Sequence, residues 1–149
     1  MSLRPAAVLT PARPNERCVV CGRHNPTGLR IRFATERAGQ VAALWHTSND
    51  WEGFRGVIHG GIVSTVLDEA MSKAVASNGW PGFTCELRVR FRRQVAADEC
   101  LQVRGWVVER RKRRISTEAS ICDQDGIERA HAWATFLLVL PAMPRPCPA

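Results

Sequence analysis

The residues of this chain best suited to chemistry stand at the start of one long apolar segment. These residues are His59, Gly60 and Gly61. Glycine lets the backbone approach a ligand closely, and the first N–H groups of a helix have no acceptor within the helix. Because those N–H groups carry the positive end of the helix dipole, they can stabilise a carbonyl oxygen as it becomes an oxyanion. His59 can hydrogen-bond the same region or fix the turn into the helix.

Asp68, nine residues after His59, is the second candidate group. The segment around it is apolar over most of its helical circumference, where an unpaired carboxylate is costly. Its neighbour Glu69 lies about 100° away on the helical wheel, so one acid can face solvent while the other faces a site. Partial burial raises the pKa of a carboxyl group and suits it to act as a general base or nucleophile. The alternative is that both acids lie on an exposed face of the helix.

Hydrophobic periodicity predicts the elements that position these residues. Apolar and polar residues alternate at 29–35, and a partner segment follows at 40–46, which predicts two strands before the helix. The helix is predicted from Gly60 to Ser77, and the glycines and proline of 78–82 end it. Four more strands are predicted at 85–91, 101–109, 115–122 and 127–140. Short connections indicate antiparallel neighbours, so we expect an α+β fold with one long helix wrapped by an antiparallel sheet.

The length of 149 residues suits a single domain, which we place at 17–140 between a proline-rich arm at 1–16 and a similar tail at 141–149. No apolar run reaches the length of a membrane span. The N-terminus also lacks the apolar centre of a secretory signal. We therefore expect a cytoplasmic protein with no membrane partner, whose six cysteines are reduced.

Two cysteines near the N-terminus raise the question of a metal site. Cys18 and Cys21 have the spacing of zinc ligands, and His24 and Cys147 are further donors that the sequence offers. A structural zinc normally takes four protein ligands, with a second clear pair. The sequence contains no second pair of this spacing. We therefore predict no metal site and interpret Cys18 and Cys21 as packed or exposed thiols.

Several motifs together resemble one branch of a known superfamily. The stretch HGGIVSTVLDEAM, which starts at His59, is similar to the central helix of the PaaI-like, 4-hydroxybenzoyl-CoA-thioesterase-like branch of the hotdog superfamily. In that branch His-Gly-Gly opens the helix and an acidic residue follows nine positions after the histidine. The chain shares further features with it, namely Cys18 to Gly22, Asn25-Pro26, Gly28-Leu29, Asp123, Gly126 and Ala130 to Phe136. The resemblance covers about residues 17–140. It implies a hotdog fold, with a curved sheet of about five to six strands around the helix, and acyl-CoA thioesterase activity.

The resemblance also implies roles for individual residues in the hydrolysis of a thioester. The thioester lies at a dimer interface, with its carbonyl oxygen on the Gly61 amide, and His59 positions that carbonyl or the turn. Asp68, supplied by the facing subunit in many members, activates water or attacks the carbonyl carbon. Thr84 stands where a hydroxyl often holds the water. Because the family uses Asp or Glu, Glu69 is a reserve candidate for the catalytic acid.

The substrate is expected to contact two further regions. Gly60 lies at the helix start, and Trp51 and Phe54 precede it in a loop that, by resemblance, lines the acyl pocket. The five consecutive cations Arg110 to Arg114 suit the phosphates of coenzyme A, and we predict Arg111, Arg113 and Arg114 as phosphate ligands. A solvated surface turn is the other interpretation of this run. Coenzyme A is part of the substrate, and no separate cofactor is expected.

Other functions on the same sequence are weighed against hydrolysis. A hotdog protein that binds acyl-CoA without turnover is the principal alternative. A dehydratase of the superfamily goes with a different helix motif, which this sequence lacks. The net charge of +7 is compatible with nucleic-acid binding. However, no aromatic residues alternate with the basic run to stack on bases, so no nucleic-acid partner is predicted. An edge strand and an open site predict a homodimer or homotetramer.

Overall fold

The computed structural model describes residues 15–139. The predicted tail, and all but two residues of the predicted arm, lie outside this range. Within it the chain forms one helix, α1, and six strands. Their bounds in chain order are β1 Ala34–Arg37, β2 Gln40–His46, α1 Gly60–Ala76, β3 Gly82–Phe91, β4 Cys100–Arg111, β5 Arg114–Cys122 and β6 Glu128–Leu138.

The six strands form one antiparallel sheet in the order β1-β2-β4-β5-β6-β3. The sheet curves around α1, and the helix packs mainly against β4 and β5 in its centre. Strand β3 follows the helix but lies at the edge of the sheet beside β6, so its other edge has no partner strand within residues 15–139. The predicted α+β hotdog fold is confirmed.

The helix is buried along most of its length, as its wide apolar stripe predicts. Val66, Leu67, Ala70 and Met71 have no exposed surface. The helix approaches β4 closely at Gly105, where an added Cβ atom would lie 2.4 Å from the carbonyl oxygen of Ala70. Only glycine permits this approach, because any larger residue would collide with the helix backbone.

The first strand differs from its prediction, which placed it at 29–35. The structure begins β1 only at Ala34, and the preceding residues bind the N-terminal loop instead. Leu29 N–H donates to the carbonyl oxygen of Val19 at 2.8 Å, and Ile31 N–H donates to that of Val20 at 2.9 Å. The alternating burial is present, since Leu29 and Ile31 are buried and Arg30 is exposed. A period of two therefore identified the buried face correctly but not the partner of the segment.

The predicted charged interruption is the turn between β4 and β5. Arg110 and Arg111 end β4, Arg114 begins β5, and Lys112 adopts a φ of 54° in the turn. We call Arg110–Arg114 the basic turn. It lies at the C-terminal end of the helix, because the guanidinium of Arg110 stacks on Trp80 at 4.6 Å. No helix in the described part of the chain is long and apolar enough to cross a membrane.

Candidate active site

The start of α1 is held by the ring of its own capping histidine. His59 has an extended backbone and precedes the helix, and its Nδ1 accepts a hydrogen bond of 2.8 Å from the Gly61 N–H. Nδ1 therefore lacks a proton in this arrangement, and a neutral ring carries its proton on Nε2. The Gly60 N–H has no acceptor among residues 15–139. The amide that is available to a ligand is therefore that of Gly60, next to the Gly61 amide that the sequence suggests.

A cavity of about 530 Å³ opens at this end of the helix. We call it the helix-start pocket. Its walls are formed by Gly53, Phe54, Val57, Ile58, His59, Gly60, Val63 and the segment Phe91 to Val95. The lining is mainly apolar, with His59, the Gly60 amide, Arg92, Arg93 and Gln94 as its polar groups, which is the usual composition of a small-molecule site.

The two aromatic residues that were predicted to line the pocket lie in different places in the structure. Phe54 lines the pocket and is 82% exposed, so a large apolar side chain stands open to a ligand there. Trp51 is not part of the lining. Its ring lies 6.4 Å from that of Trp45, which is buried in the core. The position of Trp51 does not match its prediction as a lining residue, because its side chain is partly buried and packs against the core.

Asp68 and Thr84 are in direct contact in the structure. The Thr84 hydroxyl donates a hydrogen bond of 2.7 Å to Oδ1 of Asp68, and both side chains are partly buried. Burial raises the pKa of Asp68 above its usual range, the Thr84 hydrogen bond lowers it, and the charge of Glu69 raises it further. The net direction is upward. A carboxylate with a raised pKa is a stronger base, which suits it to take a proton from water.

Asp68 does not line the helix-start pocket of its own chain. It lies eight residues after Gly60, and at 1.5 Å per residue this places the two about 12 Å apart along the helix axis. Between them the exposed face of α1 carries only small polar residues, Ser64 and Thr65, whose hydroxyls bond backbone carbonyl oxygens one turn earlier. The carboxylate and the free amide therefore cannot reach the same carbonyl group within one chain.

The three arginines predicted as phosphate ligands lie away from this pocket. Nε and Nη2 of Arg113 donate to the carbonyl oxygen of Leu138 at 3.2 Å, and Arg111 pairs with Glu109. Arg114 is exposed at the start of β5. All three lie near the opposite end of α1, whose 17 residues span about 25 Å. Within one chain, these three residues therefore do not reach the helix-start pocket.

Two other arginines take the position beside the pocket. Arg92 and Arg93 line it directly after β3. Arg92 pairs with Glu128, while Arg93 is exposed. They follow Arg88 and Arg90 of β3, and this alternation indicates one face of a strand. Proximity to the pocket follows from the antiparallel return of β3 toward the start of α1, which periodicity does not reveal.

The side chain of Glu69, the reserve candidate for the catalytic acid, contacts other residues than Asp68 does. One of its carboxylate oxygens lies 3.5 Å from Nζ of Lys73 and 3.7 Å from Sγ of Cys18. Burial and the nearby Glu69 charge raise the pKa of Cys21 to about 12, so this thiol is protonated at neutral pH and is a poor nucleophile. The structure thus separates the two acids, with Asp68 toward Thr84 and Glu69 toward the cysteines. Of the two acids, Asp68 is the one that contacts the Thr84 hydroxyl.

Comparison with known proteins shows the family of the chain. A family model described as the thioesterase superfamily matches residues 55–130, about half of the chain, from the loop before His59 into β6. The chain belongs to the thioesterase superfamily. The predicted resemblance to this family is confirmed.

Solved structures of superfamily members are similar to this chain. A thioesterase superfamily protein, RHA08564, has a TM-score of 0.77 at 25% identity, over 80% of this chain and 62% of its own. The PaaI protein of the E. coli phenylacetic acid degradation operon has a TM-score of 0.70 at 18% identity, over 73% and 83%. A hypothetical thioesterase from Streptococcus pneumoniae TIGR4, solved with coenzyme A, has a TM-score of 0.71 at 21% identity, over 76% and 91%.

A relative among curated proteins carries no assigned function. A mitochondrial protein of Candida albicans (strain WO-1), described as uncharacterized, is 30% identical over 94 residues, which make up 59% of this chain and 40% of that protein. The chain spans less than half of the length of the curated relatives that it matches. The descriptions of these relatives therefore indicate neither a family nor a substrate.

Proposed function

We propose that the protein hydrolyses acyl-CoA or aroyl-CoA thioesters to the free acid and coenzyme A. The observation that carries this proposal is the partly buried Asp68, whose pKa is raised while Thr84 holds its Oδ1 at 2.7 Å. A carboxylate in such a setting can take a proton from water as the water oxygen attacks the thioester carbon. The Thr84 hydroxyl fixes the carboxylate and stands next to the place of the water.

The Gly60 amide supplies the second element of the reaction. As the carbonyl oxygen gains negative charge, the Gly60 N–H at the positive end of α1 donates a hydrogen bond to it. The C–S bond then breaks, and the coenzyme A thiolate leaves and takes a proton. His59 is a positioning residue in this scheme, because its Nδ1 holds the Gly61 N–H and so fixes the first turn of the helix.

Two copies of the chain are needed to bring these groups together, since one chain holds them about 12 Å apart along the helix. The free edge of β3 can pair with the same edge of a second copy around a two-fold axis. Leu87 and Phe91 on β3 are 38% and 52% exposed, and the Phe91 ring lies beside Gly60. An antiparallel pair of helices then places Asp68 of the partner subunit near Gly60. The proposed active unit is therefore a homodimer or a multiple of one.

The same pairing gives the basic turn a role. Because antiparallel helices exchange ends, the C-terminal end of one α1, with its basic turn, approaches the helix-start pocket of the other chain. Arg111 and Arg114 can then bind the phosphates of coenzyme A together with Arg93 at the pocket mouth. The pneumococcal thioesterase solved with coenzyme A supports this class of ligand for the fold.

A free-thiol assay over a panel of acyl- and aroyl-CoA esters tests the proposal on wild type and Asp68→Asn. We expect the wild type to release coenzyme A and the variant to lose about 10²–10⁴-fold in turnover, the usual contribution of a general base. Asp125→Asn, which makes the same change in an exposed turn, is the matched control and should retain wild-type activity. Tight binding of an ester without release by the wild type would instead favour a non-catalytic binding protein.

A further inference from the structure

A second cluster of polar side chains lies where the N-terminal segment crosses the central helix. The sulfur atoms of Cys18 and Cys21 and a carboxylate oxygen of Glu69 all lie within 4.8 Å of one another. All three residues are partly buried. None of them takes part in the proposed hydrolysis, so the cluster needs its own explanation.

The backbone holds the two sulfur atoms on one side of a tight loop. Gly22 N–H donates to the carbonyl oxygen of Cys18 at 2.9 Å, which closes the loop. A Cβ atom on Gly22 would lie 2.4 Å from the backbone nitrogen of Cys18, so the loop requires glycine at this position. The Leu29 N–H bond to Val19 fastens the loop to the next segment. The sulfur atoms are therefore placed by a well-bonded backbone and not by free surface side chains.

We propose that Cys18, Cys21 and Glu69 bind a Zn²⁺ ion, with water as the fourth ligand. Zinc takes thiolate ligands at about 2.3 Å and carboxylate oxygens at about 2.0–2.2 Å in a tetrahedron. Donor atoms in such a tetrahedron are roughly 3.5–3.8 Å apart, so the cluster contracts by about 1 Å at most. As the two Zn–S bonds form, the two thiol protons pass to solvent. No electron transfer is involved.

The charges around the site are balanced once zinc is bound. Two thiolates and one carboxylate carry three negative charges, and the metal supplies two positive ones. The ammonium group of Lys73, 3.5 Å from Glu69, supplies the third. The bound site is then electrically neutral in its partly buried position, which avoids the cost of an uncompensated charge. The mixture of sulfur and oxygen donors suits zinc better than Mg²⁺ or Ca²⁺, which prefer oxygen alone.

Oxidation of the two cysteines to a disulfide is the competing interpretation. A disulfide gives the Glu69 carboxylate no role, whereas a metal ion uses it as a ligand. The sequence prediction of no metal rested on the missing second pair of ligands. The structure supplies the third ligand from a helix residue 48 positions after Cys21 in the chain. Bound there, the ion fastens the N-terminal segment to α1 beside Asp68.

Metal content of the purified full chain is the first test. We expect about one zinc ion per chain by mass spectrometry after growth with zinc. Cys18→Ser/Cys21→Ser should lose it, and the matched pair Cys85→Ser/Cys122→Ser, which removes two thiols outside the cluster, should keep it. A wild type without zinc, or one whose Cys18–Cys21 thiols are joined in a disulfide, overturns the proposal. Zinc that is retained by the Cys18→Ser/Cys21→Ser variant also overturns the proposal.

The role of Glu69 is tested with Co²⁺ as a spectroscopic substitute. Titration of metal-free protein should give the thiolate charge-transfer and visible bands of tetrahedral cobalt. Glu69→Gln should retain the thiolate band but weaken Co²⁺ binding by about tenfold or more. Unchanged affinity in this variant removes Glu69 from the site and overturns the three-ligand proposal. Neither the metal content nor the Co²⁺ titration depends on turnover. Failure of the zinc proposal is therefore distinct from failure of the proposed hydrolysis.

Discussion

The hydroxyl of Thr84 and the carboxylate of Asp68 form the pair on which the proposed hydrolysis depends. Burial raises the pKa of Asp68, while the hydrogen bond from Thr84 lowers it. A general base works only when deprotonated, so activity should fall as the pH drops through this pKa. The acidic limb of the kcat/KM profile should therefore lie above the usual value of about 4 for an aspartate.

Removal of the Thr84 hydroxyl should shift the acidic limb of the kcat/KM profile to higher pH. Thr84→Val deletes the hydrogen bond that favours the charged carboxylate, so the limb should move to higher pH and turnover should fall by about tenfold or more. A pH-rate profile measures both effects. Thr35→Val, a change of the same kind on the exposed strand β1, is the control and should leave the profile unchanged. A limb that stays in place would show that Asp68 is not the titrating base.

The raised pKa of Asp68 also predicts a stability effect. The folded state holds the proton of this carboxyl group more tightly than the unfolded state, so wild type loses stability as the pH rises from about 4 through the folded pKa. Asp68→Asn does not lose stability in this way, because the asparagine side chain does not ionise. It should be more stable than wild type at pH 7 by at most about 1 kcal/mol, since water still screens the partly exposed carboxylate.

Thermal denaturation of the two proteins at low and neutral pH checks this effect. The difference in Tm should be present at pH 7 and vanish below about pH 4, where both side chains are uncharged. A variant that is less stable than wild type at neutral pH would mean that a cation pairs with Asp68 in the assembled protein.

Single residues differ in how far the sequence could place them. His59, Gly60 and Asp68 share one helix, so their relative positions follow from its fixed geometry. Thr84 lies in β3, the next strand after that helix, and the resemblance to the family named it. Glu69 and Cys18 lie far apart in the sequence, and their meeting depends on how the N-terminal loop crosses α1. No pattern of neighbouring residues in the sequence predicts such a crossing.

At the scale of elements, the closest contact in the fold is that between α1 and β4. Gly105→Ala would place a methyl group 2.4 Å from the Ala70 carbonyl oxygen. Since neither backbone can retreat without moving the helix or the sheet, we expect the variant to lose about 3 kcal/mol or more in free energy of unfolding. Chemical denaturation measures the loss. Arg104→Ala, on the exposed face of the same strand, should change stability by about 0.5 kcal/mol or less. A stable Gly105→Ala protein would contradict the packing described.

The elements were predicted to different degrees for a physical reason. Strands β2, β4, β5 and β6 lie beside the helix in the interior of the sheet, so their side chains alternate sharply between core and surface. Strand β1 is four exposed residues at the sheet edge, and its burial pattern carries no signal. The stronger alternation just before it belongs to a segment bonded to the N-terminal loop. Periodicity reports burial, and a strand is only one of the structures that produce it.

At the scale of the whole molecule, the proposed hydrolysis requires a second copy of the chain, because one chain holds the Gly60 amide and the Asp68 carboxylate about 12 Å apart along the helix. The free β3 edge lies beside the pocket, and its apolar side chains Leu87 and Phe91 are open on one chain. The sequence predicts a sheet with an open edge, but the place of β3 at that edge, beside β6, depends on the order of the strands in the sheet. The exposed edge of β3 results from the order of the strands in the sheet and not from their number.

A shared site predicts that two inactive variants restore activity when they are combined. Asp68→Asn removes the base, and Gly60→Pro removes the amide N–H. Proline is tolerated at the first helical position, and the extended backbone of His59 suits a residue that precedes proline. Each variant alone should be inactive, whereas a mixed dimer contains one site with both groups intact.

Co-refolding or co-expression of the two variants measures this complementation. With random pairing, half of the dimers are mixed and each has one working site, so activity should recover to about one quarter of the wild-type value. Mixing Asp68→Asn with Thr84→Val is the control, because both changes affect the same half of the site and should restore little. If the active groups were supplied by a single chain, neither mixture would regain activity. A recovery confined to the first mixture would therefore place the Gly60 amide and the Asp68 carboxylate on different subunits.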